Sequence, residues 1–264
     1  MRGSRRAMQH KPKIKQSKKR PRGHSHDHLE TDVVAHVGSH TRSWTKHDIG
    51  SVKFKGRQHD SVVAFTQGND LAMAGSAGTG KTFVACYLGL RELTAGNVKQ
   101  VVIVRSAVQV RDQGFLPGSL EEKMQDYEMA YRGLFTELLP QKPNSYDDMK
   151  QEGLVTFLST SMLRGLTIRD AVLIIDEAQN MDFEEIDTIM TRVGTGTRVI
   201  VCGDTRQNDL KRKRGSGSGM AYMLEVLKTI QNIEVVTYTP ADCIRSGFCR
   251  AWLQAVDDMP HAHS

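Results

Sequence analysis

Short apolar runs alternate with amphipathic stretches along most of the chain. Six runs of four to seven residues are rich in Val, Ile, Leu and Ala. Near-continuous apolar runs of this length are typical of parallel strands that are covered on both faces. The predicted strands are Asp70–Ala74, Val98–Val104, Leu154–Leu158, Ala171–Ile175, Arg198–Cys202 and Ile233–Val236.

Between these runs, apolar residues recur at the three- and four-residue spacing of an amphipathic helix. Ser119 and Glu122 have the spacing of a capping box, and Pro140 ends the helix that they begin. The polar stretch Pro140–Gly153 is predicted to be a loop. The predicted helices are Thr82–Leu93; the segment after Ser119, with Leu120, Met124, Tyr127, Tyr131, Leu134 and Leu138 on one face; a segment capped by Asp182, with Phe183, Ile186, Met190 and Val193 on one side; and a segment after Gly219.

Strands that alternate with helices predict an α/β fold, in which one mainly parallel β-sheet is flanked by helices. The sequence predicts a single domain over residues 49–258, with a helical insertion at about 109–153. Residues 1–48 lack sustained apolar periodicity and are rich in Lys, Arg, His and Ser, so they are predicted to form a disordered tail. Residues 259–264 form a second, short tail.

Positive charge and histidine are concentrated near the N-terminus. Residues 1–23 contain ten Lys and Arg and no acid, so the net charge of +6 becomes −4 for the rest of the chain. A basic tail favours nucleic acid or another polyanion as a partner. Histidine is absent between His59 and His261, which argues against His-based triads and most zinc enzymes in the body of the chain.

The sequence also predicts where the protein resides. No apolar run approaches the about 20 residues that a membrane-spanning helix needs. The basic N-terminus lacks the apolar stretch of a secretory signal. Four scattered cysteines without a CxxC pair indicate reduced, packed thiols, so the prediction is a cytoplasmic protein without a membrane partner. The cysteines are Cys86, Cys202, Cys243 and Cys249.

The segment Gly75–Thr82, Gly-Ser-Ala-Gly-Thr-Gly-Lys-Thr, matches the P-loop pattern G-x-x-x-x-G-K-[ST]. A predicted strand precedes it and a predicted helix follows, so its backbone N–H groups would surround phosphates at a helix N-terminus. Lys81 would neutralise the β- and γ-phosphates of ATP, and the Thr82 hydroxyl would bind Mg²⁺. The predicted nucleotide-binding residues in this segment are Gly75, Ser76, Ala77, Gly78, Thr79, Gly80, Lys81, Thr82 and Phe83.

Two acidic residues directly follow the apolar strand Ala171–Ile175. Asp176 would therefore lie at the carboxyl edge of the sheet, where ligands bind in such folds, and is predicted to hold Mg²⁺. Glu177 is predicted to orient and deprotonate the attacking water. A glutamate suited to activating water favours hydrolysis over phosphoryl transfer to an acceptor hydroxyl.

A third candidate element, Gly203–Gln207, follows the next strand, and Gln207 is predicted to sense the γ-phosphate or the attacking water. Three arginines are candidates for stabilising charge in the transition state. They are Arg164, Arg192 and Arg245.

Ordered blocks between Gln58 and Trp252 make the chain similar to the PhoH-like ATPases, which are related to the superfamily 1 helicase motor core. The turn Gly114-Phe-Leu-Pro-Gly118 and the block Asp176-Glu-Ala-Gln-Asn180 carry most of the specificity. Two departures are Ser106, where the family has proline, and the Ser-Gly after Arg245, where the family has His-Pro. Further matching blocks are Val104–Val108, Glu122–Lys123, Leu163–Gly165, Thr191–Gly194, Gly203–Gln207 and Ile244–Arg245.

The resemblance implies a RecA-like P-loop NTPase fold and ATP hydrolysis, coupled in some relatives to RNA or other nucleic acid. It also implies a homo-oligomer, such as a hexameric ring. Gln58 aligns with a glutamine that reads the adenine edge. Arg245 aligns with an arginine suited to reach the γ-phosphate from its own or a neighbouring subunit.

Three functions remain open from the sequence. The first is an ATPase that acts on RNA or single-stranded DNA through the basic tail and the basic loop 211–219. The second is a switch in which nucleotide controls assembly with little turnover, which the acidic body of the chain favours. The third is a kinase-type or packaging P-loop enzyme.

Overall fold

The computed structural model describes residues 31–32, 44–106, 120–204 and 219–259. The strands are β1 (Thr31–Asp32), β2 (Asp70–Gly75), β3 (Gln100–Arg105), β4 (Val155–Ser159), β5 (Leu166–Thr167), β6 (Ala171–Asp176), β7 (Arg198–Gly203) and β8 (Ile233–Tyr238). The α-helices of the described part are α1 (Arg57–Thr66), α2 (Lys81–Ala95), α3 (Leu120–Leu138), α4 (Ser145–Gln151), α5 (Phe183–Met190), α6 (Gly219–Leu227) and α7 (Gly247–Asp258).

Six strands form one parallel sheet in the order β4-β3-β6-β7-β2-β8. All six correspond to the strands predicted from apolar runs, with ends that differ by at most two residues. The predicted α/β fold with a mainly parallel sheet flanked by helices is therefore confirmed. The strands β1 and β5 form a separate two-stranded parallel pair.

The sheet separates two hydrophobic cores, because successive side chains of a strand point to opposite faces. In β6, for example, Val172 and Ile174 belong to one core, and Leu173 and Ile175 belong to the other. Helices α1 to α4 contribute to the first core, and α5 and α6 contribute to the second. This double coverage explains why the central strands read as continuous apolar runs.

In the described residues, the insertion between β3 and β4 contains the helices α3 and α4. The prediction that Pro140–Gly153 is a loop is wrong, because Ser145–Gln151 forms α4. Only Tyr146 and Met149 give this short, polar helix an apolar side, and both are buried. So few apolar positions produce no visible periodicity in the sequence.

Three further elements differ from the sequence-based expectation. The apolar pattern does not predict helix α1, since its buried face includes the polar residues Gln58 and Ser61. It does not predict helix α7 either, and none of the residues of that helix is buried. Val193 is expected in the helix capped by Asp182, but α5 ends at Met190 and Val193 forms a β-bridge with Ile168.

Packed structure begins before the predicted boundary at residue 49. The Trp44 side chain is buried, and its indole N–H donates to Glu152 Oε2 at 2.8 Å. The ammonium of Lys142 lies 4.3 Å from the centre of the Trp44 ring. Thr31–Asp32, also within the predicted tail, pairs with β5. Among the described residues, no helix is long and apolar enough to cross a membrane.

Candidate functional site

Four neighbouring strands end at one edge of the sheet. In the parallel register, Arg105 pairs with Asp176, and Ala74 pairs with Gly203, next to the final residue of β2, Gly75. The carboxyl ends of parallel strands are the usual position of ligand sites in such sheets. The P-loop, the two acidic residues and the start of the Gly203 segment therefore meet at this edge.

The P-loop turns tightly from the end of β2 into the start of α2. Gly80 immediately precedes α2 and has a φ angle of 82°, in the left-handed region where a side chain is strained. A Cβ at this position would lie 2.6 Å from Gln58 Nε2 and 2.9 Å from Ile244 Cδ1. Glycine is therefore required at this position both by backbone conformation and by the proximity of these two side chains.

The Lys81 ammonium lies inside the loop rather than in solvent. Its Nζ donates to the carbonyl oxygens of Gly75 and Ser76, both at 2.8 Å. Burial lowers the pKa of Lys81 below its ordinary value of 10.5, and nearby groups such as Cys202, Asp204 and Glu177 partly oppose this shift. A cation held on loop carbonyls in this way can exchange them for phosphate oxygens.

The Asp176 carboxylate is held from two sides. The Thr82 hydroxyl donates to Asp176 Oδ1 at 3.0 Å, and the Tyr131 hydroxyl donates to Asp176 Oδ2 at 2.6 Å. Asp176 is 4% exposed, so water has little access to compete for these bonds. The P-loop threonine, the strand-end carboxylate and the insertion helix α3 are thus joined in one network.

Glu177 has an unusual backbone conformation. Its φ angle is 54°, and it is one of three non-glycine residues with a positive φ angle in the described part of the chain. Such a conformation costs about 1–3 kcal/mol and persists where the surrounding structure holds it. Gln179 Nε2 donates to Glu177 Oε2 at 2.6 Å, and Arg105 Nη2 lies 3.9 Å from Glu177 Oε1. Both carboxylate oxygens therefore face donors.

Gln179 connects two strand ends. Its side chain is buried, and its Oε1 accepts a hydrogen bond from the backbone N–H of Asp204 at 2.9 Å. Because its amide nitrogen bonds Glu177, this one residue links the segment after β6 to the segment after β7. The orientation of Glu177 thus depends on the position of the Gly203–Asp204 backbone.

Arg105 ends β3 and faces the site, although the sequence analysis does not single it out. Its side chain is 22% exposed, and its guanidinium lies 4.7 Å from the centre of the Tyr127 ring. Burial of a cation beside an aromatic face and a carboxylate restricts its conformations. The available signal is a single charged residue at the end of the apolar run Val101–Val104.

A pocket of about 550 Å³ opens over this edge of the sheet. One wall is the P-loop with Phe83, and another is the face of α3 that includes Tyr131 and Leu134. Arg245 and Ile244 line the pocket near Gly78, whose Cβ, if present, would lie 3.4 Å from Arg245 Cδ. Arg245 thus reaches the pocket of its own chain.

Of the remaining predicted site residues, one contacts the P-loop, two lie away from the pocket and one is outside the described residues. Gln58 is buried beneath the P-loop, and its Nε2 donates to the Thr79 carbonyl at 2.9 Å. Arg164 and Arg192 do not line the pocket, so this chain alone does not bring them to the phosphate site. Gln207 lies outside the described residues.

Sequence reasoning misses the roles of Tyr131 and Gln179 at the site. Both roles are recognised only from the three-dimensional packing. Tyr131 is predicted only as part of the apolar face of a helix, and no spacing relates it to Asp176. Gln179 belongs to a matching block but has no predicted role, since its partner Asp204 is distant in sequence. Long-range hydrogen bonds of this kind leave no periodic signal.

The oxygen donors at the site fit a hydrated Mg²⁺ ion. Mg²⁺ prefers hard oxygen ligands and is usually bound by one or two protein groups together with water and substrate phosphates. Thr82 Oγ1 and Asp176 Oδ1, 3.0 Å apart, are one hydroxyl and one carboxylate oxygen of this type. No cluster of three or more His, Cys, Asp or Glu suited to a metal occurs in the described ranges.

Comparisons with known proteins identify relatives over most of the chain. The family model described as PhoH-like protein matches residues 51–257. The PhoH-like protein of Bacillus subtilis is 32% identical over 209 residues, which cover 78% of this chain and 64% of that protein. Protein PhoH of Escherichia coli K12 is 32% identical over 182 residues, which cover 69% of this chain and 51% of that protein. The chain thus spans about half to two thirds of the length of these relatives.

Solved structures that resemble this chain share less of its sequence than these relatives do. The large terminase of a thermophilic bacteriophage, in complex with ADP, has a TM-score of 0.49 and 13% sequence identity. The match covers 76% of this chain and 50% of the terminase chain. A likeness of this strength carries no information on function.

Proposed function

This chain belongs to the PhoH-like protein family, and from that starting point we propose that it binds Mg-ATP and hydrolyses it to ADP and phosphate. The observation that carries the proposal is the convergence of Lys81, Thr82, Asp176 and Glu177 on one pocket. These residues supply a cation for phosphate, two oxygen ligands for Mg²⁺ and a carboxylate for water. Hydrolysis requires all of these groups in one place.

In the proposed reaction, P-loop backbone N–H groups bind the phosphates, and Lys81 exchanges its carbonyl partners for phosphate oxygens. Thr82 and Asp176 would hold Mg²⁺, which supplies charge neutralisation to the phosphates when bound. Glu177 accepts a proton from the attacking water. The water oxygen bonds to the γ-phosphorus, and the bond to the β–γ bridging oxygen breaks, so ADP leaves with that electron pair.

Two residues support the developing negative charge in this proposal. Arg245 approaches the P-loop beside Gly78, and Arg105 lies beside Glu177 at the end of β3. Cations at these positions would stabilise the transition state more than the ground state, because the charge on the transferred group is redistributed. Gln207 is proposed to sense the γ-phosphate from the segment that follows Asp204.

The test of hydrolysis compares wild type with Glu177→Gln. General-base catalysis contributes about 10²–10⁴-fold, so we expect phosphate release to fall by at least about 100-fold in this variant. Binding of ADP with Mg²⁺, measured by titration calorimetry, should stay within a fewfold of wild type. Lys81→Ala serves as the second arm and should lose binding as well as turnover. Phosphate release by Lys81→Ala at the wild-type rate would refute the site assignment.

We further propose that the physiological activity is stimulated by RNA or single-stranded DNA and takes place in a homo-oligomer such as a hexameric ring. The motivation is the basic segment 1–23 and the run Lys211-Arg-Lys-Arg214. Counterion release predicts binding that weakens steeply with salt. If neither nucleic acid changes the rate of phosphate release at low salt, this part of the proposal fails. Sizing with a non-hydrolysable ATP analogue tests the oligomer.

A nucleotide-dependent switch with little turnover is the second candidate. The observation in its favour is that both Glu177 oxygens face donors, Gln179 and Arg105. The hydrogen bond from Gln179 holds the carboxylate in one orientation and would restrain its approach to an attacking water. Wild-type protein that binds Mg-ADP but releases phosphate no faster than the background would favour the switch over the enzyme.

A further inference from the structure

Helix α3 presents two tyrosines, one helical turn apart, to the edge of the sheet. The Tyr131 hydroxyl donates to Asp176 Oδ2 at 2.6 Å. One turn earlier, the Tyr127 ring packs against the guanidinium of Arg105, which approaches Glu177. The insertion helix is therefore in contact with the surroundings of both acids of the candidate site, although it carries none of the P-loop motifs.

We propose that Tyr131 is a positioning residue of the Mg²⁺ site: its hydroxyl fixes the rotation of the Asp176 carboxylate so that Oδ1 stays beside Thr82. The inference rests on the proposed binding of Mg-nucleotide and names a determinant of that same site. Tyr131 acts through Asp176 and touches neither the nucleotide phosphates nor the metal in this account.

The packing around Tyr131 makes its hydroxyl a well-defined anchor. The side chain is 1% exposed, and its ring packs against Phe157 with the ring centres 5.3 Å apart. The core thus determines where the hydroxyl lies, and the carboxylate must follow it. A carboxylate on a single Cβ–Cγ bond otherwise rotates freely, and a group that must bind a metal gains from having that freedom removed in advance.

The hydrogen bond itself suits this role. A tyrosine hydroxyl is a donor across the neutral pH range. Its partner here is a carboxylate, and bonds to carboxylates belong to the stronger class of protein hydrogen bonds.

Tyr131→Phe tests the inference because it removes only the hydroxyl and keeps the ring against Phe157. The matched control is Tyr146→Phe, which removes another buried hydroxyl from the same core, at a ring that packs against Phe135 and not at the site. The affinity for ADP is measured by calorimetry with MgCl₂ and without it, and the ratio of the two affinities is the quantity compared. Thermal melting followed by circular dichroism reports on the fold of each variant.

We expect Tyr131→Phe to reduce the Mg²⁺-dependent gain in ADP affinity by roughly tenfold, the effect of losing one hydrogen bond to a charged group. Affinity without Mg²⁺ should remain within about twofold of wild type, since the phosphate cradle is untouched, and Tyr146→Phe should keep the full gain. An unchanged gain in Tyr131→Phe would overturn the inference and leave the hydroxyl a purely structural role. Wild-type protein that shows the gain but releases no phosphate would refute hydrolysis alone, and the comparison of variants would still decide the role of Tyr131.

Discussion

Replacement of Gln179 by Met tests what this buried amide does for Glu177. Gln179 either positions the Glu177 carboxylate for an attacking water or holds it away from that water. Met has nearly the length and volume of Gln, so the substitution fills the same space without creating a cavity. It removes both hydrogen bonds of the side chain, the one donated to Glu177 and the one accepted from the Asp204 N–H. The guanidinium of Arg105, with Nη2 3.9 Å from Glu177 Oε1, then remains beside the carboxylate.

The expected effects can be worked out bond by bond. Asp204 is 6% exposed, so the loss of the hydrogen bond from its backbone N–H to Gln179 takes place with little access to water and should cost about 1–3 kcal/mol in the free energy of unfolding. The Glu177 side chain is 36% exposed, and solvent therefore replaces part of the lost bond, which contributes at most about 1 kcal/mol. We expect a total loss of about 1–4 kcal/mol, which stays below the values of more than about 4–5 kcal/mol that are exceptional for single substitutions.

The effect on turnover should exceed the effect on binding. A general base that loses its orientation forfeits part of its about 10²–10⁴-fold contribution, so we expect kcat for phosphate release to fall by about 10-fold to 100-fold. The KM for ATP should change by less than about threefold, because the two hydrogen bonds that are lost go to Glu177 and Asp204 rather than to the P-loop, and uniform binding is retained. Urea unfolding measures stability, and a steady-state phosphate assay measures kcat and KM.

The control is Gln254→Met on the exposed helix α7, which should leave stability and turnover unchanged. A Gln179→Met protein that loses stability but keeps its wild-type kcat would refute the positioning argument and make Gln179 a structural bridge. A rise in kcat would also refute it, since it would mean that Gln179 holds Glu177 away from water. That second result would favour the nucleotide-dependent switch.

Two further predictions concern Lys81 and the start of the fold. Because burial lowers the pKa of Lys81 and bound phosphates favour its ammonium form, ADP affinity should decline as the pH rises through that lowered pKa, beginning below pH 10.5. Calorimetry over a pH series checks this. The variant Lys81→Met should bind ADP weakly at every pH and should show no such decline in affinity at alkaline pH. Trp44→Phe should reduce the free energy of unfolding by about 1–3 kcal/mol, through loss of its bond to Glu152 and of packing, and leave Mg-ADP affinity unchanged. An undiminished unfolding free energy would mean that Trp44 contributes nothing to the fold.

The parts of the fold that the sequence predicts are those that a local rule controls. Each central strand lies between two cores, so most of its positions are apolar, and the run is visible without knowledge of its neighbours. The P-loop is equally local, because a tight turn around phosphates needs glycines and one lysine at fixed spacing. No local rule of this kind predicts helix α4, since Tyr146 and Met149 are the only apolar residues on its buried side.

The sequence predicts the site residues that directly follow an apolar strand, but not those whose roles depend on contacts between distant segments. Asp176 is found because it follows an apolar strand, and Arg105, in the same position on β3, could be found by the same rule. The role of Tyr131 could not, because Asp176 is 45 residues away, and the bridging role of Gln179 could not, because Asp204 is 25 residues away. Which turn of α3 faces Asp176 depends on how the helix packs on the sheet, and no pattern within the helix encodes that.

Tyr131 and Tyr127 connect the insertion between β3 and β4 to the candidate site. A strand-end carboxylate is exposed to several competing partners, and a P-loop alone fixes only the oxygen that faces Thr82. The second oxygen of Asp176 and the cation beside Glu177 are both held from α3, by Tyr131 and Tyr127. A shift of this one helix along its axis would disturb both acids together, because the two tyrosines are rigidly spaced by one turn. The insertion therefore contacts the surroundings of both acids through a single helix.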